Sequence, residues 1–251
     1  MSKLIVDSED FGYTRAINHA IIDAHQEGIV TSASLMTNAP GFEHAVKLAK
    51  ENPKLGVGVH LVLTFLEPLS DDVPSLVDQT DSFHRPEAYR QAYAIADKEE
   101  LYKEWDAQIQ KVIQAGIQPT HLNTHHRVQT FNDYHTDVFL DLAEKYQLPV
   151  RNNLETDRPY KSTSYFEPSF DTIGTLEKAE QDYYLDSLIQ KIKENDSTEI
   201  MACVGYIDET LYNTSSLVQT RIFAAQMLTE SDFVDKIKAD KDIQLITYAE
   251  L

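Results

Sequence analysis

Residues 3–12 read KLIVDSEDFG, and this stretch decides the fold because it joins a short apolar strand to a group of acidic side chains. The apolar residues 4–6 give way at once to Asp7, Glu9 and Asp10. In parallel α/β proteins the loops after the strands line the catalytic rim, so a strand that delivers carboxylates at its end is typical of a site. The alternative is an edge strand whose acids sit in water. The histidines later in the chain favour the site.

The rest of the chain alternates strand-like apolar runs with amphipathic helical segments. Residues 55–63 (LGVGVHLVL) show the alternation of a strand, and residues 15–26 carry apolar side chains at helical spacing. The predicted strands are residues 4–6, 29–36, 55–63, 120–123, 148–151, 199–204 and 243–247. The predicted helices are residues 15–26, 42–49, 99–115, 134–146, 177–194, 217–228 and 232–239.

This alternation predicts the fold class: α/β, a distorted (β/α) barrel of about seven mostly parallel strands with helices outside. We expect a closed or nearly closed barrel and a single domain over residues 1–251, because no linker or internal repeat interrupts the pattern. Residues 64–98 lack periodicity, and so long a connection is typical of a lid or an insertion. Residues 152–175 are irregular and rich in aromatic side chains.

The composition limits the partners. The chain carries 41 acidic against 22 basic residues, a formal net charge of -19, which repels phosphate backbones and anionic lipid. Nucleic acid and membrane surfaces are therefore not expected as partners, and a small neutral substrate or a cation fits better. The single cysteine, Cys203, cannot form an intrachain disulfide, and no apolar run reaches the length of a signal peptide or a membrane span. We therefore expect a cytoplasmic protein.

Three residues at predicted strand ends form a candidate metal site. Asp10 ends the first strand, His60 lies near the end of the third, and His125 follows the fourth. One carboxylate and two imidazoles are a common ligand set for a divalent metal, and they leave open positions for water and substrate. Each histidine alone would more often be a core or surface residue. Because the ends of parallel strands converge on one rim, their shared placement favours a metal site.

Glu9 stands beside Asp10 and is the candidate general base. A metal needs ligands and the attacking water needs a base, so two neighbouring acids can divide these roles. The alternative is that Glu9 points outward and is solvated, since adjacent residues of a strand face opposite ways.

Five segments resemble the YdjC-like carbohydrate deacetylases, which include chitooligosaccharide deacetylases. They are SEDFGYT from residue 8, GIVTSASLMTNAPGFEHA from residue 28, VGVHLVLT from residue 57, PTHLNTHHRV from residue 119 and, more faintly, VGYIDE from residue 204. The resemblance implies metal-dependent hydrolysis of N-acetyl groups from amino sugars or short N-acetylated oligosaccharides. It implies a divalent metal, Mg²⁺ or Zn²⁺, with Asp10, His60 and His125 as ligands, and it places Glu9 at the position of the general base.

The sequence also departs from the pattern of that family. The family's Asp-Asp-Phe-Gly is Glu-Asp-Phe-Gly at residues 9–12, and its Asp-Ser-His-x-His-x-His is Asn-Thr-His-His-Arg-Val-Gln at residues 123–129. Its late His-Pro-Gly is Cys-Val-Gly at residues 203–205, which removes the expected proton donor to the leaving amine. Two alternatives to a deacetylase therefore stay open: a catalytically impaired sugar-binding homologue, and a metal hydrolase with a different, anionic substrate.

Four further residues are candidates for lining the substrate site: Arg127, Cys203, Tyr206 and Arg221. We expect Cys203 to line the site without acting as a nucleophile, the alternatives being a soft metal ligand or a small buried hydrophobe. Three roles are open for Arg127: it pairs with Glu9, it binds an anionic group of the substrate, or it is solvated. Tyr206 stacks on a sugar ring or packs against its own barrel, and Arg221 belongs to the segment that resembles the family's C-terminal part. A homodimer is the expected assembly, because dimers are the commonest among soluble proteins.

Overall fold

A computed structural model describes residues 1–91 and 94–251. Within these residues the strands are β1 (Ser2–Phe11), β2 (Ser32–Leu35), β3 (Gly56–Leu61), β4 (Leu122–Thr124), β5 (Tyr165–Glu167), β6 (Ser197–Ala202) and β7 (Ile243–Leu245). The α-helices there are α1 (Arg15–Gln26), α2 (Phe42–Glu51), α3 (Pro86–Arg90), α4 (Lys98–Gln114), α5 (Asp133–Tyr146), α6 (Lys178–Glu194), α7 (Glu209–Thr214), α8 (Val218–Thr229) and α9 (Asp232–Ala239). Short 3-10 helices cover His125–Thr130, Phe170–Thr175 and Tyr248–Glu250.

All strand pairs are parallel, and the long strand β1 lies at the centre of the sheet. The strand order is β4-β3-β2-β1-β6-β5, with β7 paired to β1. One side of β1 is covered by β6, and the other side is shared by β7 at residues 2–4 and by β2 from residue 7 onward. Ten residues of β1 therefore hold three neighbouring strands in register.

The two edge strands β4 and β5 are not paired with each other within the described residues, so the sheet curves into a half-barrel. The connecting segment crosses the gap: Val150 forms a single parallel bridge with Leu122 and donates its N–H to the Lys161 carbonyl at 2.8 Å. The Ser164 N–H then donates to Ser197 Oγ at 2.9 Å. The predicted distorted (β/α) barrel is confirmed, but it is a half-barrel and not the closed or nearly closed barrel expected, because β4 and β5 do not pair within the described residues. The predicted strand at residues 148–151 is reduced to one bridge.

Most predicted elements lie within a few residues of the observed ones. Helices α1 and α9 have the predicted bounds, because their apolar spacing and their N-caps, Thr14 and Ser231, agree. The prediction missed β5, since a three-residue strand has too few residues to show alternation. It also missed α3 inside residues 64–98, a segment of which residues 92 and 93 lie outside the described part.

The alternation of β1 gives the half-barrel an apolar outer face and a polar interior. Leu4 and Val6 belong to the main core beneath the helices, whereas Ile5 packs with Ile246 and Tyr248 in a separate small cluster. Above Ile5 the interior position of β1 is Asp7, which is fully buried and hydrogen-bonded. Interior side chains of neighbouring strands continue this polar filling. In the described parts of the chain, the helices are too short or too polar to cross a bilayer.

Gly58 makes room for His121 inside the half-barrel. A Cβ on Gly58 would lie 2.4 Å from Cε1 of the His121 ring and 2.5 Å from each of its nitrogens. The ring is fully buried and stacks on Tyr248 at 4.1 Å between centroids. It therefore has little freedom to move away from an added methyl group.

We predict that Gly58→Ala lowers the free energy of unfolding by about 1–3 kcal/mol, the usual cost of overpacking a filled interior. Urea denaturation of the variant and the parent measures this difference. Gly116→Asn is the control, because Gly116 has φ +81°, a left-handed conformation that Asn tolerates. Among the described residues its Cβ would meet the end of the Lys50 side chain, with Nζ at 3.4 Å and Cε at 3.6 Å. Equal stability of Gly58→Ala and the parent would contradict the packing described here.

Candidate active site

The end of β1 carries a bulge that directs two acids into one cavity. The register between β1 and β2 shifts between Ser8 and Phe11, and Asp10 has φ +64°, in the left-handed region. A bulge breaks the alternation of a strand and re-aims its side chains. Glu9 and Asp10 consequently line the same cavity, although adjacent strand residues normally face opposite ways. The alternative of an outward, solvated Glu9 does not describe this geometry.

Asp10, His60 and His125 come together at the carboxyl ends of β1, β3 and β4. Asp10 Oδ1 lies 3.1 Å from His125 Nδ1 and 3.4 Å from His60 Nε2, and these two ring nitrogens are 3.3 Å apart. One ligand atom from each residue lies within 4.8 Å of the others. Asp10 Oδ1 is buried and has no hydrogen-bond partner among the residues that the structure describes. An unpartnered carboxylate oxygen facing two imidazole nitrogens is a donor set that fits a divalent cation.

Asn123 orients the His60 ring from behind. Asn123 Oδ1 lies 2.7 Å from His60 Nδ1 and can only accept, so Nδ1 carries the proton and Nε2 presents its lone pair to the site. The Asn123 amide is fixed in turn, because its Nδ2 donates to Asp7 Oδ2 at 3.1 Å and to Ser34 Oγ at 2.6 Å. Such outer contacts set the tautomer and the orientation of metal-binding histidines.

Arg221 balances the charge of Asp10. Its guanidinium donates to Asp10 Oδ2, and both side chains are buried. Burial opposes the charged form of Asp10, but Arg221 and the two imidazoles outweigh it and hold the pKa of this carboxyl well below its usual range. Asp10 is thereby kept ionised, as a metal ligand must be.

Arg151 is the partner of Glu9. Its guanidinium donates to Glu9 Oε1 and, from its other nitrogens, to Asp7 Oδ2 at 3.0 Å and to Glu199 Oε1 at 2.8 Å. Arg127, the cation that the sequence offered as a partner for Glu9, is exposed at the rim of the cavity instead. The ion pair with Arg151 fixes the position of the Glu9 carboxylate beside the cavity.

The buried polar network beneath the site fills the half-barrel with hydrogen bonds. Burial opposes ionisation of Asp7, but His121, Arg151 and Ser34 more than compensate and lower its pKa to about 2. His121 Nε2 lies 3.3 Å from Asp7 Oδ1, and the Tyr248 hydroxyl donates to Glu199. The network consists of Asp7, Ser34, His121, Asn123, Arg151, Glu199 and Tyr248.

A cavity of about 350 Å³ opens above Glu9, Asp10 and His125. One wall is aromatic: the Tyr13 and Phe65 rings meet edge to face at 5.2 Å, and Phe65 lies 5.6 Å from the His125 ring. The lining of the cavity also includes Arg85, His126, Arg127, Asp171, Cys203, Thr214, Ser215, Ser216 and Arg221.

Three of the four predicted lining residues reach this cavity: Arg127, Cys203 and Arg221. Tyr206 does not, because its side chain is 41% exposed and its hydroxyl donates to Asp23 Oδ2 at 2.8 Å on α1. Cys203 is buried, and burial together with the nearby Asp171 raises the pKa of its thiol well above the usual value. A thiol held neutral is a poor nucleophile.

Sequence reasoning missed several residues that shape the site. Arg151 stands at the end of a predicted strand, as the three metal candidates do, and that placement was an available signal. Tyr13 lies three positions after Asp10 and just beyond the end of β1, so its place near a strand end was a signal of the same kind. Phe65 and Asp171 lie in segments without periodicity, so nothing in the sequence marked them.

The half-barrel with a carboxylate and two imidazoles at its strand ends defines the class of protein: a parallel α/β protein with a candidate metal site at the carboxyl ends of its strands. The sequence profile of the family described as YdjC-like protein matches residues 3–239. The chain therefore belongs to the YdjC-like family, and the resemblance noted in its motifs is confirmed.

Relatives of known name cover nearly the whole chain. The carbohydrate deacetylase of Geobacillus stearothermophilus is 39% identical over 251 residues, which span 98% of this chain and 96% of the relative. The carbohydrate deacetylase of Brevibacillus brevis is 38% identical, over 99% of both chains. A crystal structure from Enterococcus faecalis V583, of a protein named for a proposed cleavage of cellobiose phosphate, superimposes with a TM-score of 0.88. It is 32% identical and covers 99% of this chain and 98% of its own.

We predict that Arg151→Met lowers the free energy of unfolding by about 3–5 kcal/mol, because it leaves buried carboxylates without their cation. Denaturant unfolding at neutral pH measures the loss. Arg158→Met is the matched control: Arg158 pairs with Asp137 and Asp141 at the surface, where ion pairs contribute about 0–1 kcal/mol. Equal losses in the two variants would contradict the central role of Arg151.

Proposed function

We propose that this protein is a metal-dependent carbohydrate deacetylase, which hydrolyses N-acetyl groups from amino sugars or short N-acetylated oligosaccharides. The observation that carries the proposal is the convergence of Asp10, His60 and His125 in a cavity that also holds Glu9. The carbohydrate deacetylases that resemble it over nearly its full length support the sugar substrate.

Asp10, His60 and His125 would hold the metal, Mg²⁺ or Zn²⁺. Imidazole ligands suit Zn²⁺, whereas a carboxylate with open positions for water also suits Mg²⁺. When bound, a divalent metal acts as a Lewis acid on the acetyl carbonyl and on the attacking water. Asn123 orients His60, and Arg221 keeps Asp10 ionised, so two of the three ligands are prepared before the metal arrives.

Glu9 is the proposed general base. Its carboxylate faces the cavity, and Arg151 holds it from the interior by a charge-assisted hydrogen bond. In this role it takes a proton from the attacking water. The aromatic wall of Tyr13 and Phe65 gives the sugar ring an apolar surface beside the reacting bond.

We predict that metal-loaded protein releases acetate from N,N′-diacetylchitobiose, and that chelation or Asp10→Asn abolishes the release. The variant removes one ligand charge, so it weakens metal binding as well as turnover. Acetate assay and the metal content after dialysis measure the two effects separately. A crystal grown with the metal should show one ion within about 2.0–2.3 Å of Asp10, His60 and His125.

Acetate release that survives both chelation and Asp10→Asn would contradict the metal-dependent mechanism. Protein that holds metal and binds the sugar, but releases no acetate, would instead be the impaired sugar-binding homologue. The replacement of the family's late His by Cys203 favours that outcome among the alternatives.

A second candidate substrate is an anionic sugar. Arg85 and Arg127 line the cavity although the chain as a whole is strongly acidic, so they form a local basic rim. A phosphorylated N-acetylated disaccharide should then compete better than its neutral counterpart, and the advantage should shrink as salt screens the charges. Equal competition by the two sugars would exclude this candidate.

We further propose that residues 1–251 act as one domain, that the protein is cytoplasmic and that it forms a homodimer. The match of the family over residues 3–239 supports the single domain. The single cysteine supports a reducing compartment.

A further inference from the structure

Amide hydrolysis needs an acid as well as a base. An amine is a poor leaving group unless its nitrogen is protonated as the C–N bond breaks. Glu9 is ion-paired with Arg151 and suits the role of general base. Cys203 occupies the position at which the family has the late His that would supply the acid. If the protein is a deacetylase, as proposed above, another group of the cavity must donate this proton.

Asp171 is a further carboxyl group in the same cavity, beside Cys203. It belongs to the 3-10 helix Phe170–Thr175 and lines the same cavity as Glu9, Asp10 and His125. The backbone N–H of Cys203 donates to both of its carboxylate oxygens, at 2.9 Å and 3.1 Å. Asp171 is therefore fixed against the residue that replaces the family's His, at the end of β6.

The two carboxyl groups flanking Cys203 have different electrostatic environments. Glu9 Oε2 lies 3.9 Å from Cys203 Sγ, and its other oxygen is paired with the buried Arg151 cation. Asp171 accepts its hydrogen bonds from a neutral backbone N–H, and the Arg221 cation acts on it only from a distance, without a direct ion pair among the described residues. Pairs of carboxyl groups in such unlike surroundings divide the base and acid roles in other hydrolases.

Other groups of the cavity are less suited to the role. The buried Cys203 thiol is a weak donor, and its pKa is raised well above the usual value by burial and by Asp171. His126 Nδ1 is engaged with Thr64 Oγ1 at 2.9 Å, which leaves only Nε2 free. His126 is nevertheless the strongest rival, because it also lines the cavity.

We propose that Asp171 is the general acid that protonates the leaving amine, in place of the family's late His. Glu9 takes a proton from water as the water oxygen bonds to the acetyl carbon. The C–N bond then breaks with its electron pair going to nitrogen, and nitrogen receives the proton of the Asp171 carboxyl. The products are acetic acid and the free amine, which exchange a proton to give acetate and the ammonium form of the amino sugar. The proton on Glu9 returns through solvent to Asp171, so atoms and charge balance.

The environment of Asp171 agrees with this role. Burial raises the pKa of its carboxyl above the usual value, and the nearby charge of Glu9 adds to this shift. The N–H and thiol of Cys203 and the Arg221 cation oppose the shift without cancelling it. A raised pKa keeps the acid protonated to higher pH. Activity should therefore fall as the pH rises through the pKa of Asp171.

The test compares two acetyl substrates that differ in their leaving groups, with metal-loaded full-length protein. N,N′-diacetylchitobiose needs protonation of its amine, whereas 4-nitrophenyl acetate releases a stable phenolate without an acid. We expect Asp171→Asn to lower kcat/KM for the amide by about 10²-fold or more and to change the ester rate little. Glu9→Gln, which removes the base, should lower both rates.

Two further measurements separate catalysis from structure. Asp171→Asn keeps an oxygen for the Cys203 N–H, so its thermal melting should match the parent, and the alkaline fall of amide hydrolysis should disappear from its pH profile. Asp171→Glu retains an acid and should recover part of the amide activity. An equal loss on both substrates, or an unchanged amide rate, would overturn the role of Asp171.

The variant His126→Gln tests the rival proton donor, His126. A loss confined to the amide in that variant, with Asp171→Asn unaffected, would assign the acid to His126 and overturn the proposal. Absence of amide hydrolysis by the parent protein is a different result, because it overturns the proposed function itself and the role of Asp171 with it.

Discussion

The buried guanidinium of Arg151 is the interaction on which the rest of the structure depends. It reaches Asp7 and Glu9 on β1 and Glu199 on β6, and it stands in the segment that crosses the open side of the half-barrel. A buried cation must be compensated by nearby negative charge, and buried carboxylates need the cation equally. These residues therefore hold two strands and the crossing segment in one arrangement, and they fix Glu9 at the rim.

The same hydrogen-bond network extends to the candidate metal ligands through His60. Asp7 accepts from Arg151 and from Asn123, and Asn123 accepts from His60. Each member of this chain is buried and has its position set by the one below it. Groups that are oriented before a reaction begins need no reorganisation during it, which is the main source of electrostatic catalysis. The polar filling of the half-barrel thus serves both the fold and the site.

The departures from the family's motifs fall around one cavity, and the structure relates them to each other. Glu9 is one methylene longer than the family's Asp, and its carboxylate is drawn to Arg151 from the interior. Cys203 replaces a histidine, and its backbone N–H holds the carboxyl of Asp171 in the cavity. The proposed acid and base would thus be carboxyl groups in different surroundings, Glu9 paired with a buried cation and Asp171 accepting from a backbone N–H.

The sequence by itself determined the order of helices and strands and the pattern of acids and histidines at strand ends. Helices such as α1 and α9 are visible because apolar periodicity is local, and Asp10, His60 and His125 could be grouped because parallel strand ends meet at one edge. The tertiary structure alone decided which cation pairs with Glu9, where Asp171 lies and that Tyr206 faces solvent. Arg151 and Glu9 are 142 residues apart, and their contact depends on how the open side of the sheet is closed. Local patterns do not encode that closure, since it arises from the packing of segments that have no periodicity of their own.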